Sequence, residues 1–440
     1  MKILKKTGLI LIVFLIIQSV ARSDVRAEAA QLSGKSEDAQ VDELNLAVQQ
    51  FLYSNDAAQS DALLKEILAL PDLKISRLEE AIKEGTLYPP EPATGALHKS
   101  IEVAGYEMSY AMHVPKNYNS KKRYPLIVCL HGAGFVGDSY IDRWKSRLGE
   151  NAILVCPTIS GGAWWSAQGE KLVLAVIDAV AVQYRIDRER IFLTGMSNGG
   201  IGVYLVGMFH ADRFAAISPM AGGIPNEIFP FLKNFASTGI YIIHGARDQV
   251  MPVRLSQEVS AYLKDSGIPH TYREHGKEHP RAGGHFFPRE ELPALVKWFD
   301  GQHRIAEPAR IESVRDVKHL APFYWTEINE TAGKVADVQK SLFNNDEIEL
   351  VKEGAFASLT AEIEGNTVTV ETALVGKFTL FFNSRLIDFS KPVRVKVNGK
   401  THFEGPLTES PAFLLKEAKR RRDGISFYTA SVQIDLTENK

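Results

Sequence analysis

From His98 onward, short apolar runs alternate with stretches whose apolar residues recur every three or four positions. The runs Tyr124 to Leu130, Ala152 to Cys156, Arg190 to Thr194, Gly239 to Ile243 and His270 to Glu274 have the length and composition of strands. Gly169 to Tyr184, Ile201 to Phe209, Arg254 to Ser266 and Glu291 to Trp298 have helical periodicity and fill the gaps. Upstream, SIEVAGYEMSYAMHVPKNY predicts two short strands around Gly105, ending at Pro115. Apolar strands separated by amphipathic helices predict an α/β fold with a mostly parallel central sheet covered on both faces.

The flanks read differently. Val41 to Leu52, Ser60 to Leu70 and Ile75 to Lys83 predict three helices broken at Asn55-Asp56 and Pro71, and Pro89, Pro90 and Pro92 make a stiff linker. Beyond Arg304 the alternation stops. NTVTVETA, GKFTLFFN, PVRVKVNGKTHFEG and SVQIDL are strand runs, Asn398-Gly399 is a type I′ hairpin signal, and one helical piece covers Pro411 to Lys419. The predicted layout is a helical appendage and linker over 28–95, an α/β domain over 96–304 and an all-β, sandwich-like accessory domain over 305–440. The accessory domain is expected to pack on the α/β domain as a separable module. Phe323, Tyr324 and Trp325 either fill its core or form an exposed ligand-binding surface.

At the start of the chain, Lys2, Lys5 and Lys6 precede an apolar run from Leu9 to Ile17, followed by small and polar residues. That is an export signal, cleaved after Ala27 or Ala21, and it predicts a periplasmic or secreted protein with no membrane attachment beyond an uncleaved anchor. Lys and Arg (51) nearly balance Asp and Glu (53), so the formal charge is -2, which argues against a nucleic-acid partner. The basic run Lys419 to Arg422 reads as a solvated face. Two cysteines, Cys129 and Cys156, cannot build a disulfide framework and read as buried thiols.

The sharpest signal is RIFLTGMSNGG, Arg190 to Gly200, in which Gly195-Met196-Ser197-Asn198-Gly199 fits G-x-S-x-G between a strand and a helix. A serine on such a tight turn is projected above the sheet, and the following helix aims its N-terminus at developing negative charge. Two backbone N–H donors are needed for that charge. One is the amide of Asn198; the other comes from His131-Gly132-Ala133-Gly134, as Gly132 or Ala133. His131 itself reads as a support for the loop. A serine also needs a histidine to take its proton and a carboxylate to orient the histidine, following it in that chain order as acid, then base. Asp248, just past the strand Gly239 to Ile243, is the expected acid; Asp265 and Asp300 read as solvated and His244 as a buried neighbour. Of His275, His279 and His285, the glycine-backed His285 is the expected base.

Together HGAG, TGMSNGG, HGARDQVMP and GGHFF resemble the esterase branch of the α/β-hydrolases, which includes polyhydroxybutyrate depolymerases, feruloyl and acetyl-xylan esterases, dienelactone hydrolase relatives and phospholipase/carboxylesterase enzymes. The likeness spans about Ser100 to Phe299, and Asp187 and Arg190 match its Asp and Arg pair before the nucleophile strand. It implies an α/β-hydrolase fold and a Ser197, Asp248, His285 triad cleaving carboxylic esters through an acyl-enzyme. Exported members often carry disulfides, a pattern that two cysteines do not reproduce. An aryl or carbohydrate ester is the expected substrate class, with Trp164, Trp165, Phe286 and Phe287 as an aromatic wall in an open, shallow cleft. The alternatives are a prolyl-oligopeptidase-like peptidase, distinguished by amide turnover, and an inert binding protein, distinguished by failure to react with a fluorophosphonate. No cofactor is expected. EHGKEHP, with His275 and His279, lacks the H-e-x-x-h zinc spacing, so no metal is expected either.

Overall fold

The computed structural model describes residues 37–84, 86, 88–89, 91–148, 150–341 and 344–437. The expected signal at 1–27 and Pro90 of the expected linker lie outside the described residues. Three helices, α1 Glu37–Tyr53, α2 Ala57–Leu68 and α3 Ile75–Glu84, precede an eight-stranded sheet. The break at Asn55-Asp56 is the start of α2: the Asp56 carboxylate accepts from the Gln59 amide and caps the helix.

The sheet comprises β1 Gly95–Val103, β2 Tyr106–Val114, β3 Tyr124–Leu130, β4 Ile153–Pro157, β5 Ile186–Met196, β6 Ala216–Met220, β7 Gly239–Gly245 and β8 Thr271–His275, in the order β1-β2-β4-β3-β5-β6-β7-β8. The β1–β2 hairpin joins antiparallel to β4, and from β4 to β8 every pairing is parallel. Because both faces are buried, the middle strands are apolar throughout. In β3, Leu126, Val128 and Leu130 pack into one core, while Ile127 and Cys129 pack into the other. Helices α4 Asp138–Leu148 and α8 Leu292–Asp300 cover the second face; α5 Ala167–Gln183, α6 Asn198–Phe209 and α7 Arg254–Asp265 cover the first. Helix α4 was absent from the sequence pattern, although Tyr140 and Trp144 stand one turn apart and both are buried. Cys129 and Cys156 are free and buried on β3 and β4. Burial raises the Cys156 thiol pKa, and Cys129 beside it adds to the shift.

Past the sheet, β9 Arg310–Arg315, β11 Ala357–Glu364, β12 Thr367–Ala373, β14 Val393–Val397 and β15 Lys400–Gly405 form a second sheet, and β10 Thr326–Thr331, β13 Val375–Phe382 and β16 Ala430–Asp435 form a third. Pairing is antiparallel except between β12 and β14. Asn398 and Gly399 turn the β14–β15 hairpin with positive φ at both residues, 48° and 79°. The region is not all-β. Besides α11 Pro411–Arg421 it contains α9 Val338–Ser341 and α10 Asn345–Lys352. The start of α10 is set by Asn344, whose side chain caps the Glu347 amide, and by Asp346 and Glu347 in the first turn.

One hydrophobic core runs without interruption from the first face of the large sheet into the two C-terminal sheets. Its seam is polar-stapled. The buried Asn234 side chain donates to Met208 O (2.7 Å) and Val314 O (2.9 Å) and accepts from Val314 N (2.7 Å). Arg315 donates to Phe209 O at 2.7 Å, and Arg304 pairs with Asp423 at 2.7 Å with both side chains almost wholly buried. Phe323, Tyr324 and Trp325 are at most 3% exposed, so the exposed aromatic surface is not formed. The Trp325 indole N–H donates to Pro308 O at 2.7 Å.

The basic run is a solvated face only in part: Arg420 and Arg422 are exposed, but Lys419 and Arg421 turn inward. Lys419 Nζ donates to Phe51 O, Ser54 O and Ser60 Oγ, each at 2.7 Å, and Arg421 donates to Tyr324 O at 2.8 Å. Leu414 and Leu415 of α11 share a core with Val48, Ile67 and Leu78 of α1, α2 and α3. The N-terminal helices and α11 of the C-terminal region therefore close one core together.

Candidate active site

Ser197 sits between the end of β5 and the start of α6 with φ 58° and ψ -123°, a strained conformation for a residue with a Cβ. The turn is locked by Ser197 N donating to Met220 O (2.9 Å) and Ile201 N donating to Ser197 O (3.0 Å). The flanking glycines are a steric requirement. A Cβ on Gly195 would lie 2.6 Å from Gly199 O, and one on Gly199 would collide with Leu130 O.

The His285 Nε2 is 3.1 Å from Ser197 Oγ, and its Nδ1 is 2.8 Å from Asp248 Oδ2. The other carboxylate oxygen, Oδ1, accepts from Val250 N (2.8 Å) and Met251 N (2.7 Å), which fixes the carboxylate plane. The Asp248 side chain is fully buried, whereas His285 keeps 12% exposure. The acid and base loops are joined by backbone: Gly284 N donates to Arg247 O at 2.8 Å, and a Cβ on Gly284 would lie 2.8 Å from Gly245 Cα. That close approach is why two glycines precede His285.

The other histidines are elsewhere or differently employed. His279 is exposed, and buried His275 packs its ring 5.2 Å from Phe286. His244 is a direct neighbour of the acid, its Nε2 lying 2.9 Å from Met251 O and 3.3 Å from Asp248 Oδ2. Both are acceptors, so Nε2 carries a proton. Its Nδ1 lies 2.6 Å from Ser256 Oγ, whose hydroxyl donates to Gly222 O at 3.0 Å, and burial lowers the pKa despite the Met251 and Asp248 contacts. His131 is a support: its Nε2 accepts from Ile159 N (3.1 Å), leaving Nδ1 to donate to Gly132 O (2.9 Å), and burial lowers its pKa.

Of the two amides expected near the serine, that of Gly132 is already donated to Tyr140 Oη at 3.0 Å. The amide of Ala133 has no hydrogen-bond partner among the described residues, and Ala133 is exposed. Asn198, first residue of α6, has no intrahelical acceptor for its N–H, and its side chain donates to Gly161 O at 3.1 Å. Tyr140 was not singled out in the sequence. Burial, with Cys129 nearby, pushes its phenol up to about 12, so it stays a neutral anchor under the loop.

The aromatic wall is rearranged. Phe287 is buried in the second core, edge-on to Tyr140 and Trp144, instead of facing the site. Phe286 rests against His275. Trp164 is fully buried and donates its indole N–H to His131 O at 2.8 Å. Trp164 and Trp165 both line a cavity of about 520 Å³ beside α6. Residues of α9 and α10 line its other side, and Ser197, Asp248 and His285 are not among its lining residues. Phe135, Val136 and Val250 are exposed on the loops that carry Ala133 and Asp248.

Among the described residues no helix is long and apolar enough to cross a membrane. Residues 167–296 match the family model described as phospholipase/carboxylesterase. A probable feruloyl esterase C of Aspergillus terreus is 33% identical over 154 residues, covering 33% of this chain and 56% of that protein. The probable feruloyl esterase C of Aspergillus oryzae is 31% identical over 219 residues, covering 46% of this chain and 77% of that protein. A solved thermostable esterase is 26% identical with a TM-score of 0.39, covering 48% of this chain and 63% of the other. With a parallel sheet, a strand–serine–helix turn and these relatives, the chain belongs to the esterase family of the α/β-hydrolases.

Proposed function

We propose that the chain hydrolyses carboxylic esters through an acyl-enzyme, with Ser197, His285 and Asp248 as its catalytic residues. The observation that carries this reading is the pair of hydrogen bonds linking Ser197 Oγ to His285 at 3.1 Å and His285 to Asp248 at 2.8 Å. Ser197 Oγ attacks the ester carbonyl carbon as its proton passes to His285 Nε2. The buried carboxylate of Asp248 holds the imidazole in the Nδ1–H tautomer and stabilises the cation that forms. The carbonyl oxygen becomes an oxyanion held by the amides of Ala133 and Asn198. As the tetrahedral centre collapses, His285 returns the proton to the departing alkoxide and an acyl-serine remains. Water, deprotonated by His285, then attacks that acyl group and releases the acid. No cofactor enters these steps.

The likeness to fungal feruloyl esterases supports an aryl ester as the substrate class, and the signal-like segment from Lys2 to Ala27 supports export. A fluorophosphonate probe tests the centre directly. One probe per chain, mapped to Ser197 and absent from Ser197→Ala, is expected, together with loss of p-nitrophenyl acetate hydrolysis by several orders of magnitude. A labelled Ser197→Ala protein, or an unlabelled native one, overturns the assignment.

A further inference from the structure

We propose that the cavity beside α6, completed by α9 and α10 of the C-terminal region, holds the apolar alkyl or aryl part of the ester and makes that region the determinant of substrate size. The inference rests on the hydrolase reading above. Ile201, Leu205 and Phe209 all line the cavity. They are spaced i, i+4, i+8 and so share one face of α6. At 1.5 Å per residue that stripe is about 12 Å long. It begins at Ile201, one helical turn after Ser197, and Trp164, Trp165, Gly223 and Ile224 place the cavity's near end on the loops that follow β4 and β6, on the same edge of the sheet as the serine.

The chemistry of the lining selects the occupant. Ile224 and Ile228 face it from the loop after β6, and Val338, Ile348 and Val351 face it from α9 and α10. The one acidic group on the α5 side, Glu170, is already bonded to His210 (2.7 Å) and His319 (2.9 Å). Glu227 and Lys352 are exposed. The interior therefore rewards hydrocarbon or ring surface. A volume of about 520 Å³ lies within the range of small-molecule sites, roughly 300–1,000 Å³, and a methyl group would leave most of it unfilled. The α9–α10 wall lies outside residues 167–296, the part matched by the family model, so the selectivity is a property of this chain's own added region.

The apolar group can enter as the acyl chain or as the alcohol, and two substrate arms distinguish these. The full chain is assayed on p-nitrophenyl acetate against p-nitrophenyl octanoate, and on ethyl acetate against octyl acetate. Each methylene that reaches the cavity should raise kcat/KM by about fourfold, so at least one long ester should exceed its short partner by tenfold or more. The arm showing the preference names the source. Ile348→Trp fills the far end and should abolish the preference. Gln339→Trp on α9, where the side chain is half-buried, is a second obstruction should Ile348→Trp fail to fold. Fluorophosphonate labelling and a thermal melt accompany each variant. A labelled native chain with equal rates on short and long esters in both arms, or folded variants that keep the preference, overturns the cavity assignment alone. A native chain inert to the probe and to acetate overturns the hydrolase reading instead.

Discussion

Asp248→Asn isolates the one proton position on which the proposed mechanism depends. The orientation of an asparagine at 248 is dictated by its surroundings: the site of Oδ1 is faced by the N–H groups of Val250 (2.8 Å) and Met251 (2.7 Å), so the amide oxygen must stay there. Turning the amide nitrogen toward those donors would leave buried groups unsatisfied at about 1–3 kcal/mol each. The NH2 group then replaces Oδ2, 2.8 Å from His285 Nδ1 and 3.3 Å from His244 Nε2, and donates to His285 where a carboxylate accepted. His285 must answer with an unprotonated Nδ1, which places its proton on Nε2 facing Ser197. In that tautomer it cannot accept the serine proton. An error of this kind lowers kcat by about 10⁴-fold, equivalent to about 5 kcal/mol of barrier. Because the side chain is isosteric and the Oδ1 bonds survive, the unfolding midpoint should move little. The assay is kcat for p-nitrophenyl acetate beside a urea unfolding curve and the fluorophosphonate labelling rate. A folded variant that loses less than tenfold in kcat would refute the claim that Asp248 sets the His285 tautomer.

Two further predictions concern the seam with the C-terminal region. Burial opposes charge on His319, but hydrogen bonds to Asp316 (2.6 Å) and Glu170 (2.9 Å) outweigh it and raise the pKa from 6.5 to about 9. With His210 also on Glu170, the resulting stability should be full below about pH 6.5 and lost as pH rises toward 9, an effect of about 3 kcal/mol. Urea midpoints across that window should fall in the native chain and stay flat in His319→Gln; parallel slopes would remove His319 as the cause. Asn234→Ala leaves the Val314 N–H and the Val314 and Met208 carbonyls without their buried partner. It should cost about 3–5 kcal/mol in urea unfolding, and a loss under 1 kcal/mol would mean the seam is not held there.

The sequence by itself determined the parts governed by local rules. Short apolar runs with no polar face fit strands buried on both sides by their length and composition, and β3 has the predicted bounds, Tyr124–Leu130. Glycines around Ser197 announced the turn because a Cβ there has nowhere to go. The glycine pair before His285 singled out that residue among three histidines, and the geometry brings it to Ser197. Other decisions depended on atoms distant in the chain. Gly132 and Ala133 are equivalent in sequence, and only the phenol of Tyr140 shows which amide is occupied. Lys419 looks like part of a solvated charge run until carbonyls of Phe51 and Ser54 in the N-terminal helical segment accept from it. Helices α9 and α10 are short and were hidden among strands, yet together with α6 they line a cavity of about 520 Å³. A hydrophobic pattern records that a side chain is buried, but not against what; the partner is chosen when distant segments compete to remove the same apolar surface from water.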